Sequence, residues 1–201
     1  VAAAEVGADA SLLVTPYYNR PTQEGLYQHF CRVAEAVNMP IILYNVPGRT
    51  AVDMTNDTVI RLSKENNIVA LKDATGDVAR GAALIQQLPD TFAVYSGDDA
   101  TALDLLRHGA KGNISVTANI AAVQMAELCR LALAGDFDRA ELINQRLSGL
   151  NSALFLEPNP VPIKWAMAEH GMMSSGIRLP LTLLSEQHHE AVRRAMKQAQ
   201  I

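Results

Sequence analysis

The sequence predicts an α/β fold built on a parallel β-sheet, and three observations predict it. Short apolar runs rich in β-branched residues alternate with amphipathic helical patterns through the first 120 residues. Successive runs start about 21–30 residues apart, the length of one strand–helix unit. Hydrophobic residues make up 49% of the 201 residues and aromatic residues only 5%, which is enough for a large aliphatic core.

Five strands and four intervening helices are predicted in the first part of the chain. The strands are predicted at residues 11–15, 41–46, 68–72, 92–96 and 113–117. The helices are predicted at residues 23–37, 55–65, 77–88 and 100–108. Residues 1–10 have the pattern of a helix that Gly7 ends. The chain is therefore expected to begin inside an element and to be part of a longer protein.

The remainder of the chain is predicted to be helical. Helical patterns cover residues 121–134, 137–150, 161–169 and 185–198, and a proline-rich segment at 157–162 interrupts them. We predict one sheet-bearing region at 1–120, followed at 121–201 by the last helix of that region and a helical extension. Two arrangements of the sheet remain open, a partial (β/α)8 barrel and an open five-stranded flavodoxin-like sheet. The second is disfavoured because no glycine-rich phosphate loop follows the first strand.

Composition excludes several classes of function. Seventeen basic and 21 acidic residues give a net charge of −4 without a basic block, which argues against nucleic-acid binding. No apolar run reaches the roughly 18 residues of a membrane span, and no signal peptide begins the chain. Cys31 and Cys129 lie far apart in helical patterns, so free thiols and a cytoplasmic location are expected. No group of residues has the spacing of a metal site.

Polar residues end or follow every predicted strand, and Lys72, at the end of the third, is the most informative of them. A partly dehydrated lysine at a strand end can lose its proton and attack a carbonyl to form a Schiff base. Tyr44 lies near the end of the neighbouring strand and suits proton transfer, and Arg49 follows that strand and suits carboxylate binding. The alternatives are a solvated lysine at a strand end, an ordinary strand tyrosine and a solvated arginine. Of Tyr17 and Tyr18, at most one is expected to face the same pocket.

Five motifs resemble one family in order and spacing. They are VTPYYNRP at 14–21, LYNVPGRT at 43–50, LKDATG at 71–76, SGDDA at 96–100 and EPNPVPIK at 157–164. With them the chain resembles the dihydrodipicolinate (4-hydroxy-tetrahydrodipicolinate) synthase family of pyruvate-dependent class I aldolases. The resemblance implies that Lys72 forms a Schiff base with pyruvate and that Tyr44 transfers protons beside it. It also implies that Tyr18 completes a proton relay in a neighbouring subunit.

The resemblance implies further site residues and partners. Arg49 would receive the carboxylate of L-aspartate-4-semialdehyde, and Ile114 and Gly97 would contact pyruvate. Tyr17 would lie at a dimer interface, near the cleft where L-lysine inhibits many bacterial members. The implied protein is a cytoplasmic homotetramer, a dimer of dimers, that acts in lysine and diaminopimelate biosynthesis without metal or organic cofactor. Its implied fold is a (β/α)8 barrel, of which this chain holds strands 4–8 and a C-terminal helical extension.

The sequence leaves two alternative functions open. One is a related aldolase for N-acetylneuraminate or a keto-deoxy sugar acid, although Arg49 favours the synthase because the sialic acid lyases typically lack that arginine. The other is an inactive fragment or relic. The family's Gly-Thr-Thr-Gly-Glu motif, whose threonines bind the pyruvate carboxylate and complete the relay, does not occur in this sequence. The intact enzyme is therefore expected to be longer.

Overall fold

The structure, a computed structural model, describes residues 2–201 and is an α/β fold with four parallel strands. The chain divides into two compact units, one that ends at Ile114 and one that covers Ser115–Ile201. The strands of the first unit are β1 (Ser11–Val14), β2 (Ile41–Asn45), β3 (Ile68–Asp73) and β4 (Ala93–Ser96). Its helices are α1 (Ala2–Glu5), α2 (Gln23–Ala36), α3 (Pro47–Thr50), α4 (Asn56–Leu62), α5 (Val78–Ile85) and α6 (Ala102–Arg107).

The four strands lie side by side in chain order, and every neighbouring pair is parallel. A flavodoxin-like sheet would place its second strand at the edge and its first strand between the second and the third. That alternative is therefore wrong. A sequential order places each strand–helix unit next to the preceding one, as in a (β/α)n arrangement.

The two faces of the sheet differ in what they carry. Leu43 and Leu71 are in register, are fully buried, and belong to one hydrophobic core with Leu26, Phe30 and Leu62 of the helices. The next row points to the opposite face because side chains alternate along a strand. In that row the register aligns four residues, Val14, Tyr44, Lys72 and Tyr95. The helices thus cover one face, and the predicted site residues occupy the other.

The predicted fifth strand at 113–117 is wrong. Asn113 forms only an isolated parallel bridge with Ser96, and the Ile114 N–H donates to the Ser96 carbonyl (2.8 Å). Beyond this point, the Ser115 Oγ accepts a hydrogen bond from the Ala118 N–H (2.8 Å) and starts a turn. A short 3-10 helix at Thr117–Asn119 follows instead of a strand.

Local side-chain hydrogen bonds set the ends of several helices. Thr22 Oγ1 accepts from the Gly25 N–H (3.2 Å) and starts α2 at the predicted residue. The helix predicted at 100–108 begins later because Asp98 Oδ2 accepts from the N–H (3.1 Å) and the Oγ1 (2.7 Å) of Thr101. The helical turn α3 was not predicted. Gly7, with φ +82°, follows α1 as expected, while Val1 lies outside the described residues.

The second unit is helical, as predicted. Its helices are α7 (Ala122–Leu133), α8 (Phe137–Ala153), α9 (Val161–Glu169) and α10 (Glu186–Gln198). Helix α8 packs against α7 and α10 through buried leucines that include Leu147 and Leu150. Thr117 Oγ1 donates to the buried Asn151 Oδ1 of α8 (2.7 Å). No helix within residues 2–201 is both long and apolar enough to cross a membrane.

Candidate active site

The sheet register places Lys72 next to Tyr44. The two residues are direct partners on β3 and β2, and the Lys72 Nζ lies 4.3 Å from the centroid of the Tyr44 ring. A cation at this distance from an aromatic face is held by the charge distribution of the ring. The side chains that the sequence predicted to meet at neighbouring strand ends do meet, although this contact does not test their chemical roles.

The environment of Lys72 lowers the pKa of its side-chain ammonium group. Burial lowers the pKa of the Lys72 ammonium, and the positive charge of Arg49 acts in the same direction. The negative charge of Asp99 opposes both effects, and the net pKa stays below its usual value. A larger fraction of the amine is therefore unprotonated at neutral pH, as attack on a carbonyl requires.

The environment of Tyr44 favours its protonated form. Burial raises the pKa of the phenol, and the charge of Arg49 lowers it by a smaller amount. Tyr44 therefore keeps its proton at neutral pH and can donate it. Because Arg49 affects both Tyr44 and Lys72, the three groups form one electrostatic cluster at the carboxyl ends of β2 and β3.

Gly97 has no side chain, and the Lys72 side chain occupies the space next to it. A Cβ atom at Gly97 would lie 2.9 Å from the Lys72 Cε, 3.0 Å from the Lys72 Cγ and 2.8 Å from the Ala74 Cβ. The Gly97 N–H donates to the Asp73 carbonyl (2.7 Å), so the backbone at Gly97 is tied to the end of β3. Gly97 therefore determines where the lysine amine can lie.

We expect Gly97→Ala to slow imine formation with pyruvate by roughly 10- to 100-fold, because a displacement of about 1 Å suffices for such a loss. The measurement is the rate of borohydride-trapped adduct formation followed by intact mass. Gly48→Ala is the matched control, since a Cβ at Gly48 would meet no atom within 4 Å. Equal rates of adduct formation in Gly97→Ala and Gly48→Ala would contradict a displacement of Lys72 by a Cβ atom at Gly97.

The sequence did not single out Asp99 as a site residue. Asp99 is buried and accepts a hydrogen bond from the Asn113 Nδ2 (2.7 Å), next to Ile114. The adjacent Asp98 starts the turn before α6. Burial and hydrogen-bond partners distinguish the two carboxylates, and no sequence signal reveals either.

Asp99→Asn is expected to move the pH dependence of imine formation to lower pH. The substitution removes the charge that keeps the pKa of Lys72 from falling further, while an amide oxygen can still accept from Asn113. The amine then loses its proton at lower pH, so the rising limb of the pH–rate profile shifts in the acidic direction. Asp57→Asn, in the first turn of α4, is the control. A shift in the basic direction would contradict this electrostatic coupling.

Arg49 lies on the helical turn α3 at the end of β2. The buried Thr50 Oγ1 lies within hydrogen-bond distance of the carbonyls of Val46 (3.1 Å) and Val52 (2.9 Å) and accepts from the Val52 N–H (3.2 Å). The Ala51 N–H closes the turn onto the Pro47 carbonyl (2.9 Å). The local backbone is thus firmly held, and the exposed Arg49 side chain extends from it.

The remaining predicted site residues lie beside β4 and after β1. Ile114 continues from the Asn113 bridge beside β4, near Gly97. Tyr17 and Tyr18 follow β1 and are 62% and 94% exposed. Tyr18 therefore does not pack against Lys72 within this chain, and its predicted role in a neighbouring subunit stays a prediction. Among residues 2–201, no cluster of His, Cys, Asp or Glu could hold a metal ion.

Comparison with known proteins decides the family. A sequence profile of the dihydrodipicolinate synthetase family matches residues 1–199. This chain belongs to that family. The predicted resemblance is therefore confirmed, and the second unit is part of the match as well as the sheet.

Individual relatives agree with this assignment. The 4-hydroxy-tetrahydrodipicolinate synthase of Nitrosomonas europaea is 61% identical over 195 residues, which are 97% of this chain and 67% of that protein. The dihydrodipicolinate synthase of Acinetobacter baumannii, solved with pyruvate, is 59% identical with a TM-score of 0.98, over 100% of this chain and 69% of that one. The lysine-bound synthase of Cyanidioschyzon merolae is 38% identical with a TM-score of 0.94. That match covers 98% of this chain and 67% of the other. The chain spans about two thirds of the length of these relatives.

Proposed function

We propose that the protein is a 4-hydroxy-tetrahydrodipicolinate synthase, a lyase that condenses pyruvate with L-aspartate-4-semialdehyde in lysine and diaminopimelate biosynthesis. The observation that carries the proposal is the Lys72 amine, half-buried against the Tyr44 ring with a lowered pKa. Family membership and the relatives' names support this choice of reaction within the pyruvate aldolases.

The chemistry needs only side chains. The Lys72 amine attacks the ketone carbon of pyruvate, and loss of water leaves a protonated imine. The imine acts as an electron sink, so the methyl group of pyruvate loses a proton and becomes a nucleophilic enamine. This carbon attacks the aldehyde carbon of the second substrate and forms the new C–C bond. The substrate amine then adds to the imine carbon, closes the ring and releases Lys72.

The remaining site residues receive roles in this scheme. Tyr44 transfers protons to and from the reacting oxygen and nitrogen atoms, since its raised pKa keeps the phenol protonated. Arg49 binds the carboxylate of the aldehyde substrate with its planar guanidinium. Ile114 and Gly97 contact pyruvate beside Lys72. Tyr18 joins the proton relay of a second copy, which its 94% exposure permits.

We further propose the arrangement of the whole protein. The four strands and the Asn113 bridge correspond to strands 4–8 of a (β/α)8 barrel, with residues 1–120 in the barrel and 121–201 forming its last helix and the helical extension. The assembly is a homotetramer, a dimer of dimers, with Tyr17 at the tight interface. L-lysine is an inhibitor that binds near Tyr17, and the lysine-bound relative supports this choice.

The test compares substrates using the protein purified at its natural length. We expect turnover of pyruvate with aspartate semialdehyde and no cleavage of N-acetylneuraminate. The opposite preference would assign the protein to the sugar-acid aldolases. Absence of both activities, with no trapped pyruvate adduct, would indicate a non-catalytic member of the family.

Arg49→Ala is expected to lower kcat/KM for the aldehyde by roughly 100-fold, about the value of two charge-assisted hydrogen bonds. Trapping of pyruvate by borohydride should still reach the wild-type yield at a pH that deprotonates Lys72, because pyruvate reacts before the aldehyde binds. The pH dependence of trapping should move in the basic direction, because Arg49 no longer lowers the pKa of Lys72. Arg32→Ala is the control, since this exposed arginine of α2 pairs with Glu35 (2.8 Å) on the same helix. An equal loss in both variants would contradict a binding role for Arg49.

A further inference from the structure

The segment that carries Arg49 is fixed at its far end by side chains from β2, α2 and α5. We call Val46–Thr55, which connects β2 to α4, the Arg49 loop. Its first residue follows the buried Asn45 at the end of β2, and its last three are Asp53, Met54 and Thr55. Neither Asn45 nor the residues at 53–54 appear in the catalytic scheme above.

Asn45 ties the two ends of the Arg49 loop together. Its Nδ2 donates to the Asp53 Oδ1 (2.9 Å) and to the Met54 carbonyl (3.2 Å), and its Oδ1 accepts from the Met54 N–H (3.0 Å). The amide thus satisfies both backbone groups of Met54. Since Asn45 directly follows Tyr44 on β2, the closing point of the loop lies one residue from the predicted proton donor.

Arg80 of the neighbouring helix α5 also binds this end of the Arg49 loop. Its Nη1 and Nη2 donate to the two carboxylate oxygens of Asp53 (2.7 and 2.9 Å), and its Nη2 also donates to the Met54 carbonyl (2.6 Å). Its Nε donates to the Asn56 Oδ1 (3.2 Å), and the Asn56 Nδ2 donates to the Arg80 carbonyl (3.1 Å). Every guanidinium nitrogen is therefore engaged in holding residues 53–56.

The ion pair between Arg80 and Asp53 is stronger than an ordinary surface ion pair. The side chain of Arg80 is only 24% exposed and that of Asp53 is 45% exposed. Burial alone raises the pKa of Asp53, but hydrogen bonds from Arg80 and Asn45 outweigh it, and the net pKa is lowered. A bidentate arginine–carboxylate pair also fixes orientation, which a lysine with its single point charge cannot do.

We propose that Arg80 is a positioning residue for the second substrate. Through Asp53 and Met54 it fixes the Arg49 loop so that the Arg49 guanidinium meets the carboxylate of the aldehyde bound at the Lys72 imine. This inference rests on the proposed function. It differs from a purely structural role in one measurable respect, because a structural role lowers stability without a selective effect on one substrate.

The experiment measures steady-state kinetics with the aldehyde varied at saturating pyruvate, together with borohydride trapping of pyruvate. We expect Arg80→Lys to raise KM for the aldehyde roughly tenfold, as for a guanidinium displaced by about 1 Å, and to leave pyruvate trapping unchanged. Arg61→Lys is the matched control, because Arg61 of α4 also pairs with a carboxylate, that of Glu24 (2.9 Å), which lies on α2 and not in the loop. Its KM should equal that of the wild type.

A second variant covers the case in which Arg80→Lys does not fold. Asp53→Asn keeps the shape of the side chain but removes its charge, and KM for the aldehyde should rise roughly three- to tenfold. The positioning role is overturned if a folded Arg80→Lys or Asp53→Asn variant melts at a lower temperature yet keeps the wild-type KM. A wild-type protein that traps no pyruvate and turns over no aldehyde overturns the proposed function itself, and the positioning role with it.

Discussion

Replacement of Lys72 by alanine is expected to abolish the borohydride-trapped pyruvate adduct and to lower kcat by about a thousandfold or more, since the covalent nucleophile is lost. The physical basis is the lowered pKa of an amine that is half-buried against Tyr44 and feels the positive charge of Arg49. No neighbouring group in this cluster can form an imine in its place. The adduct is detected by intact mass, and its position is read from a peptide digest.

The control for this prediction is Lys64→Ala. Lys64 is exposed just beyond α4, and its removal should change neither the adduct nor the turnover. Circular dichroism and thermal melting of both variants establish that any loss at Lys72 is chemical. An adduct of wild-type yield in Lys72→Ala would place the Schiff base on a different amine and would remove the basis of the proposed mechanism.

The contact between Lys72 and Tyr44 could be predicted because it depends on few physical facts. Apolar, β-branched runs identify the strands, and the carboxyl ends of parallel neighbours meet at one edge of a sheet. Residues that end two consecutive strands therefore lie close together if those strands are neighbours. The sequential strand order fulfils that condition, and the register pairs the two residues directly.

The contacts that the sequence did not predict depend on the orientation of a polar side chain. Asp98 and Asp99 are adjacent and chemically identical, yet one starts a turn before α6 and the other is buried beside Asn113. The pairing of Asp53 with Arg80 joins a loop to a helix 27 residues later, and it exists only because α5 packs next to that loop. No local pattern encodes such a contact.

The wrong prediction of a strand at 113–117 has a similar origin. Its residues have strand-like propensity, and the first two do lie beside β4. The Ser115 hydroxyl then accepts a backbone hydrogen bond from Ala118, which competes with continuation of the ladder. Strand propensity summed over these five residues takes no account of this single competing hydrogen bond.

Tyr44→Phe is expected to lower kcat by roughly 10²- to 10⁴-fold, the usual contribution of a positioned acid–base group. The phenylalanine keeps the ring face that lies 4.3 Å from the Lys72 Nζ, so the amine should stay in place. Pyruvate trapping at equilibrium should therefore reach the wild-type yield, although more slowly. The variant thus separates the aromatic face of Tyr44 from its hydroxyl group.

The matched control is Tyr27→Phe, which removes a hydroxyl group that donates to Glu65 (3.4 Å) on the helix-covered face of the sheet. Its kcat should stay near the wild-type value. Because the pKa of Tyr44 is raised, the wild-type enzyme should keep a protonated phenol well above neutral pH, and any alkaline limb that this group causes should disappear in Tyr44→Phe. If Tyr44→Phe instead keeps full kcat with the same alkaline limb, the proton is carried by another group, and Tyr44 contributes only its ring.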